Sequence, residues 1–447
     1  MGVPFKAMSK ALSILWLSEQ PIRPTGYGVV TREIIKRLVK RGHEVNVMGW
    51  DYNGEPMKHE EGWSLIHTGL APFGAEFLNE PDGPTVIDFN ISHLKPDVVI
   101  SLTDIQNTPH IVRACNRMGV PHISYTPVDG FPFFYGYKDL IKMTHTPLWM
   151  SSFGREQFLD FVRAYNSNGH GDENRQDPFL DRFTTESIPL IYHGVDIDVF
   201  KPVSQETKTE MRAKLGLSQW TTVFASVGRN GNRKQQPRLL EAFRMMLDKC
   251  DNPDEIGLIL HTGDPTNSKN MGGWNLPAMI HELKLERNVT FSDTDSNPIH
   301  GVSRQDMARI YQFSDCHVSA TSGEGFGIPS AEAMACGIPV ILPDNSTAPE
   351  LIGQDSSRGI LVKNDTFITG PTHGIKLSIV SVESLAEAMM DMVVNVKERT
   401  EMGERAREFA EKSFDWEIIT DQFEELFRFS AGKPHPHGNN SVVSHHE

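Results

Sequence analysis

At 447 residues, with 38% hydrophobic and 23% charged residues, the chain lies in the ordinary globular range and is too long for one core, so two or three domains are expected. A net charge of −15 disfavours sequence-independent binding to nucleic acid, which rests on Lys and Arg neutralising phosphates. Four dispersed cysteines, Cys115, Cys250, Cys316 and Cys336, contain no Cys-x-x-Cys pair, so neither a zinc site nor a disulfide framework is suggested, and a cytoplasmic setting fits.

The first apolar run, ALSILWL, is followed by the acidic SEQP, which is no cleavage site, and reads as a buried strand rather than a signal peptide. No run approaches the roughly 18 to 20 apolar residues of a spanning helix. Strands are predicted at 11–18, 43–50, 97–104, 122–128, 145–151 and 187–194, then at 221–229, 256–263, 288–293, 316–321 and 338–344. Helical patterns alternate with them, which is the signature of two successive parallel α/β series. The polar stretch from Asp196 to about Trp220 separates the series. This gives Rossmann-like domains at 1–200 and 201–413, a C-terminal helix at 414–430 that packs back on the first domain, and a disordered tail at 431–447. The inserts 165–178 and 264–275 read as surface loops, and after Val362 the chain is expected to turn helical.

Three loops at predicted strand ends carry chemistry. In RPTGYGVVTREIIKRLVKR, Gly26 and Gly28 imitate a dinucleotide fingerprint, with Asp51 after the next strand. Thr31 stands where the third glycine belongs and the loop is too long, so the expectation is that Gly26 and Gly28 face the second domain across a cleft. The helix that follows gathers Arg32, Lys36, Arg37, Lys40 and Arg41 largely on one face, an ordinary solvated face that also leaves peripheral membrane contact open.

In VGRNGNRKQ, Arg229 and Lys234 lie five residues apart on a glycine-containing loop and would neutralise a diphosphate without a metal. In SGEGFGIPSAEAMACGIPV, a glycine turn leads into a helix with Pro329 in its first turn and Gly337 at its end. A helix N-terminus favours an anion, and Glu324 and Glu332 are acceptors for sugar and ribose hydroxyls. The plain alternative is a connecting turn and an exposed helix residue.

These residues carry a resemblance. The Glu, seven residues, Glu spacing of Glu324 and Glu332 resembles the signature of retaining family 4 glycosyltransferases, the glycosyl transferases group 1, which have the GT-B fold: two Rossmann-like α/β domains facing each other across a cleft. VGRNGNRK is similar to that family's phosphate element, PLIYHGVDIDVFKP to the end of its first domain, and FDWEIITDQFEELF to its closing helix. The resemblance implies a metal-independent hexosyltransferase that takes a UDP- or GDP-sugar as co-substrate and delivers it, with retention, to a hydroxyl acceptor entering from the N-terminal domain. Glu324 would contact the donor sugar, Gly325, Phe326, Gly327 and Ile328 would line it, and Glu332 would bind the ribose. Arg229 and Lys234 would hold the diphosphate, with Gly26 and Gly28 closing from the opposite side. Where the family often has a histidine after the fourth strand, this chain has Asp129, which is expected to accept a hydroxyl of the donor sugar.

Rival readings are a glycosyl phosphorylase or nucleotide-sugar epimerase on the same fold, and a non-catalytic sugar- or nucleotide-binding protein. The strings DTD (293–295) and DID (196–198) could mark a metal site of the other major glycosyltransferase fold, but such strings arise easily by chance. No metal or other cofactor is expected.

Overall fold

The computed structural model describes residues 10–432 apart from 51, 53, 67–84, 168–182, 186, 267–271, 293–301 and 371–373. Two of its sheets lie one after the other along the chain. The first holds β1 (Ser13–Glu19), β2 (Glu44–Trp50), β3 (Met57–Lys58), β4 (Ser64–Ile66), β5 (Val98–Leu102), β6 (His122–Thr126) and β7 (Thr146–Trp149), in the order 3-4-2-1-5-6-7. Only the short edge strand β3 pairs antiparallel. β5 and β6 are buried at every position, as parallel strands covered on both faces must be.

The second sheet holds β8 (Thr222–Val227), β9 (Ile256–His261), β10 (Val289–Phe291), β11 (Cys316–Val318), β12 (Val340–Pro343) and β13 (Gly359–Val362), all parallel, in the order 10-9-8-11-12-13. The order reverses between β8 and β11, and the crevice above such a switch point is where open α/β sheets bind ligands.

Two expectations are corrected. Residues 187–194 do not form a strand: a single bridge joins Leu190 to Trp149 at the edge of the first sheet. Pro189 has no N–H to extend a ladder, and only its carbonyl is used, by the Trp149 amide at 3.4 Å. After Val362 the chain is not yet helical. It first forms an antiparallel hairpin, β14 (Asn364–Thr369) with β15 (Lys376–Val380), whose first strand is mostly exposed and so lacks the apolar alternation that marks a half-buried strand. Helices Val382–Val394, Val396–Ser413 and Trp416–Ala431 follow.

The hairpin crosses to the first half of the chain. Lys376 and Phe131 exchange backbone hydrogen bonds, and Phe367 meets the Phe131 ring edge to face at 5.2 Å. The helix Trp416–Ala431 returns to the first sheet, its N-terminus capped by Asp415 accepting from the Glu417 amide at 2.9 Å. Its buried Phe423 packs on Trp16 and Tyr125, with ring centroids 6.0 and 5.3 Å apart. Each large side chain so covered contributes about 1.5–3 kcal/mol.

The largest apolar cluster spans both sheets, from Trp16 and Ile34 through Phe326 and Met334 to Phe414. Most of the cations on helix Gly26–Lys40 are engaged there too. Arg37 and Arg41 pair with Glu417 at 2.9 Å, Arg41 also with Asp421 at 2.6 Å, Lys36 with Glu33 at 2.6 Å and Arg32 with Glu61 at 3.2 Å. The face considered for membrane contact is thus largely covered by carboxylates. No described helix is long and apolar enough to cross a membrane.

Candidate active site

β11 ends at Val318, and the turn Ser322–Gly327 leads into helix Ile328–Ala335. Gly327 sits at φ 92°, in the left-handed region where glycine is at ease, and supplies no side-chain cap to the helix. Pro329 has no N–H, and the Ser330 and Ala331 amides donate to the Gly327 carbonyl at 3.0 and 3.1 Å, so what the helix offers is the positive end of its dipole, toward a cleft lined by Lys234, Thr321, Glu324, Gly327, Ser330 and Ser346, among others.

Glu324 is the centre of this cluster. Its carboxylate is paired with Lys234, accepts from Arg233 at 3.0 Å and accepts from the Thr321 hydroxyl at 2.9 Å. Its own amide donates to Ser346 Oγ at 2.9 Å. Burial alone would raise its pKa, but Lys234 and Arg233 outweigh that and hold the carboxyl at about 2, so it is ionised throughout the physiological range.

Asp129 lies on the loop after β6, facing the cluster from the first half of the chain, with Arg233 Nε 3.7 Å from its carboxylate. A third of its side chain remains exposed. Enclosure by the surrounding protein raises its pKa, Arg233 opposes that, and the negative charges of Glu324 and Asp104 add to the rise. Two carboxylates that share Arg233 thereby have their pKa values pushed apart, one firmly ionised and one more easily protonated.

The two loops touch. A β-carbon at Gly323 would lie 1.9 Å from the Asp129 carbonyl oxygen, and one at Gly325 would lie 2.4 Å from Pro127 Cβ. Across the same gap, a β-carbon at Gly26 would stand 3.6 Å from Ile328 Cδ1. Gly28 has a local role: a β-carbon there would collide with the Arg23 and Gln20 carbonyls, while its amide donates to the capping Thr25 hydroxyl at 3.1 Å.

Of the residues chosen from sequence, the structure brings together Glu324, Lys234, Asp129 and the Gly325–Gly327 turn, with Gly26 and Ile328 facing each other nearby. The rest sit apart from this cluster. Arg229 is exposed, and its carbonyl accepts from Gln236 Nε2 at 3.0 Å. The Phe326 ring turns into the core between the sheets, 5.2 to 5.8 Å from His193, Phe414 and Tyr192. Glu332 points to the neighbouring helix Arg304–Gln312 rather than into the cleft beside Glu324. It is 3% exposed and accepts from Arg304 at 2.7 Å and Tyr311 at 3.0 Å. Asp196, of the string DID, accepts from the Val199 amide at 3.2 Å, the ordinary work of a turn, and DTD lies outside the described residues.

Arg233 is the residue sequence reasoning passed over. Besides Glu324 and Asp129 it donates to the Gly323 carbonyl, and its own carbonyl accepts from the Ser322 amide at 2.8 Å, so it ties the phosphate loop to the glycine turn. Its signal was present in the adjacent pair Arg233 and Lys234, which the 3₁₀ turn Asn232–Lys234 presents together. Tyr27, between Gly26 and Gly28, was also missed; its hydroxyl donates to Asp104 at 2.9 Å.

Residues 207–409, which carry the switch point, the cation loop and the glutamate turn, match the family model described as Glycosyl transferases group 1. These residues are a glycosyl transferases group 1 domain. A D-inositol 3-phosphate glycosyltransferase of Mycobacterium sp. (strain JLS) is 33% identical over 39% of this chain and 36% of its own length. The chain thus spans about a third of the curated relative it first matches. The D-inositol 3-phosphate glycosyltransferase of Corynebacterium diphtheriae is 24% identical over 95% of this chain and 96% of its own. Among solved structures, an Anabaena protein crystallised in complex with UDP and glucose superposes with a TM-score of 0.65 at 17% identity, covering 94% of this chain and 100% of that one. The superposition shows the two-domain fold, and the group 1 match over residues 207–409 agrees with the family resemblance read from the Glu-to-Glu spacing.

Proposed function

We propose that the protein is a retaining, metal-independent glycosyltransferase that moves a sugar from a UDP- or GDP-sugar to a hydroxyl acceptor. The observation that carries this reading is the cluster at the start of helix Ile328–Ala335, where Lys234 and Arg233 converge on Glu324 beside the positive end of the helix dipole. Such a cluster suits a group that leaves with two phosphates and gains negative charge as it goes. The group 1 match and the names of the relatives support the same class.

In this mechanism the bond between the anomeric carbon and the β-phosphate oxygen loosens, leaving an oxocarbenium-like sugar. The acceptor hydroxyl attacks from the face the diphosphate leaves, and its proton goes to the departing phosphate oxygen. Lys234, with Arg229 swinging in from the exposed loop, stabilises the diphosphate, and Glu324 and Asp129 hold sugar hydroxyls. The loop after β6 belongs to the acceptor's side of the cleft.

The test is a thermal-shift screen against nucleoside diphosphates and their sugar conjugates, with and without EDTA, followed by NMR of the product's anomeric centre. A rise with one nucleotide that EDTA leaves unchanged, and a product of retained configuration, are expected. Turnover that requires inorganic phosphate would point instead to a phosphorylase. No rise with any nucleotide overturns the proposal.

A further inference from the structure

His317 is the middle residue of β11. It is 1% exposed, and neither ring nitrogen has a hydrogen-bond partner. Strand alternation explains where it points: Cys316 and Val318 enter the core shared with helix Gln236–Leu247, so His317 turns to the other face, toward the cleft. There it lines the cleft together with Lys234, Ser319, Thr321, Glu324 and Ser330. Tyr311 braces the ring edge to face at 5.9 Å. The carbonyl of its in-register neighbour Ala225 is near enough to favour a protonated ring, yet makes no hydrogen bond with it.

An imidazole buried with both nitrogens unpaired costs about 1–3 kcal/mol that an apolar side chain in the same place would not. Its polarity makes physical sense if a ligand in the cleft supplies the missing partner. The neighbours favour an oxyanion: the Lys234 ammonium, the hydroxyls of Thr321 and Ser330, and the positive end of the helix dipole at Gly327. We propose that His317 is a further ligand-binding residue, donating a hydrogen bond from its imidazole to a phosphoryl oxygen of the bound nucleoside diphosphate. This rests on the donor reading above. Burial, with Lys234 close by, keeps the ring neutral down to about pH 4, so it offers an N–H without adding a cation beside Lys234. The contact would distinguish a diphosphate from a monophosphate, which has no second phosphoryl group to reach the floor of the cleft.

Calorimetric titration of the full chain with UDP, GDP, UMP and GMP tests this in wild type, His317→Phe and His317→Gln. His317→Phe is expected to weaken whichever diphosphate the wild type binds by roughly tenfold, with the monophosphate changed less than about twofold. His317→Gln, which retains an N–H donor, should recover most of the loss. Unchanged diphosphate affinity in a folded His317→Phe protein overturns the role of His317 while leaving the donor reading intact, and so does an equal loss for monophosphates. Wild-type protein that binds none of the four overturns both. If His317→Phe does not fold, the imidazole ¹⁵N resonances of wild type decide: a change in the His317 signal on adding the diphosphate but not the monophosphate supports the contact, and an unmoved signal refutes it.

Discussion

Replacing Gly323 with alanine separates binding from chemistry. Gly323 lies on the turn after β11, its φ is outside the left-handed region, and alanine is therefore locally unstrained. The added carbon, however, would lie 1.9 Å from the Asp129 carbonyl oxygen on the opposing loop, whereas β-carbons do not approach heavy atoms closer than 3.0 Å. One loop must retreat by about 1 Å, carrying Asp129 away from Arg233 and Glu324. A misplacement of that size at a reacting centre costs on the order of a hundredfold in rate. Lys234, Arg229 and the helix N-terminus all lie on the same side of the gap as Gly323, so nucleotide affinity should stay within about twofold of wild type. The assay is steady-state turnover with the donor and acceptor found by screening, alongside calorimetric titration of the nucleoside diphosphate. Gly130→Ala is an independent check, since its β-carbon would lie 2.5 Å from the Lys376 carbonyl and would push the hairpin off the same loop. Wild-type turnover in Gly323→Ala would refute the idea that contact between these loops assembles the site.

Glu324→Gln should raise affinity for the nucleoside diphosphate about three- to tenfold while lowering turnover at least a hundredfold, because the neutral amide releases Lys234 and Arg233 to the phosphates. Unchanged or weaker binding by calorimetry would show that the carboxylate does not compete for those cations. Asp315 is buried between Arg212 at 2.5 Å and Lys208 at 3.2 Å and also accepts from the Val223 amide at 2.8 Å. Asp315→Asn leaves Arg212 unpaired at 7% exposure and should cost about 3–5 kcal/mol in chemical denaturation; a loss below about 1 kcal/mol refutes this. Burial draws His122 and His193 down to about 3 and His110 to about 4, against about 6.5 when unfolded. Between those values the unfolded chain binds more protons, so their stabilisation is complete above pH 6.5 and falls away with acid by about 1.4 kcal/mol per histidine per pH unit. The melting temperature should drop from pH 6.5 to 4, less steeply in His193→Asn; a flat profile refutes it.

The fold was legible wherever burial on both faces wrote long apolar runs. β1, β2, β5, β6, β8 and β9 fall within one or two residues of their predicted spans, because a parallel strand between helix layers has little choice of residue. Elements stabilised from outside their own segment were not legible. The hairpin Asn364–Val380 is held by the Lys376 to Phe131 pairing more than two hundred positions back, and no local pattern announces it. At the site, types and spacing found Glu324 and Lys234, since a carboxylate and a cation at the ends of parallel strands are where the topology brings chemistry together. They could not rank Arg233 against Arg229, because which of two nearby cations faces the turn depends on the 3₁₀ geometry of Asn232–Lys234 and on Gln235, whose left-handed backbone and amide bond to Ser322 at 2.7 Å fix that loop. Nor could they see that Glu332 turns toward Arg304 and Tyr311, partners set by a helix packed beside its own.

The site is self-neutralised, and this bears on how it would work. Lys234 and Arg233 are not waiting in solvent for a phosphate: Glu324 already holds them, so an arriving diphosphate exchanges one anionic partner for another instead of desolvating bare cations. Its net affinity would be correspondingly modest, but cations positioned beforehand would lower the entropic cost of ordering them. The exchange would also draw from Glu324 the two cations that hold its carboxyl low, leaving burial to raise its pKa, next to Asp129, whose pKa is raised as well. Two such carboxyls, buried and short of cations on the loops where Gly323 and Asp129 meet, would hold those loops together less well unless the donor's hydroxyls bridge them. A donor carrying its sugar would therefore favour closure, and the nucleoside diphosphate alone would favour opening and release, so the same contact that aligns the reaction would also time the departure of its product.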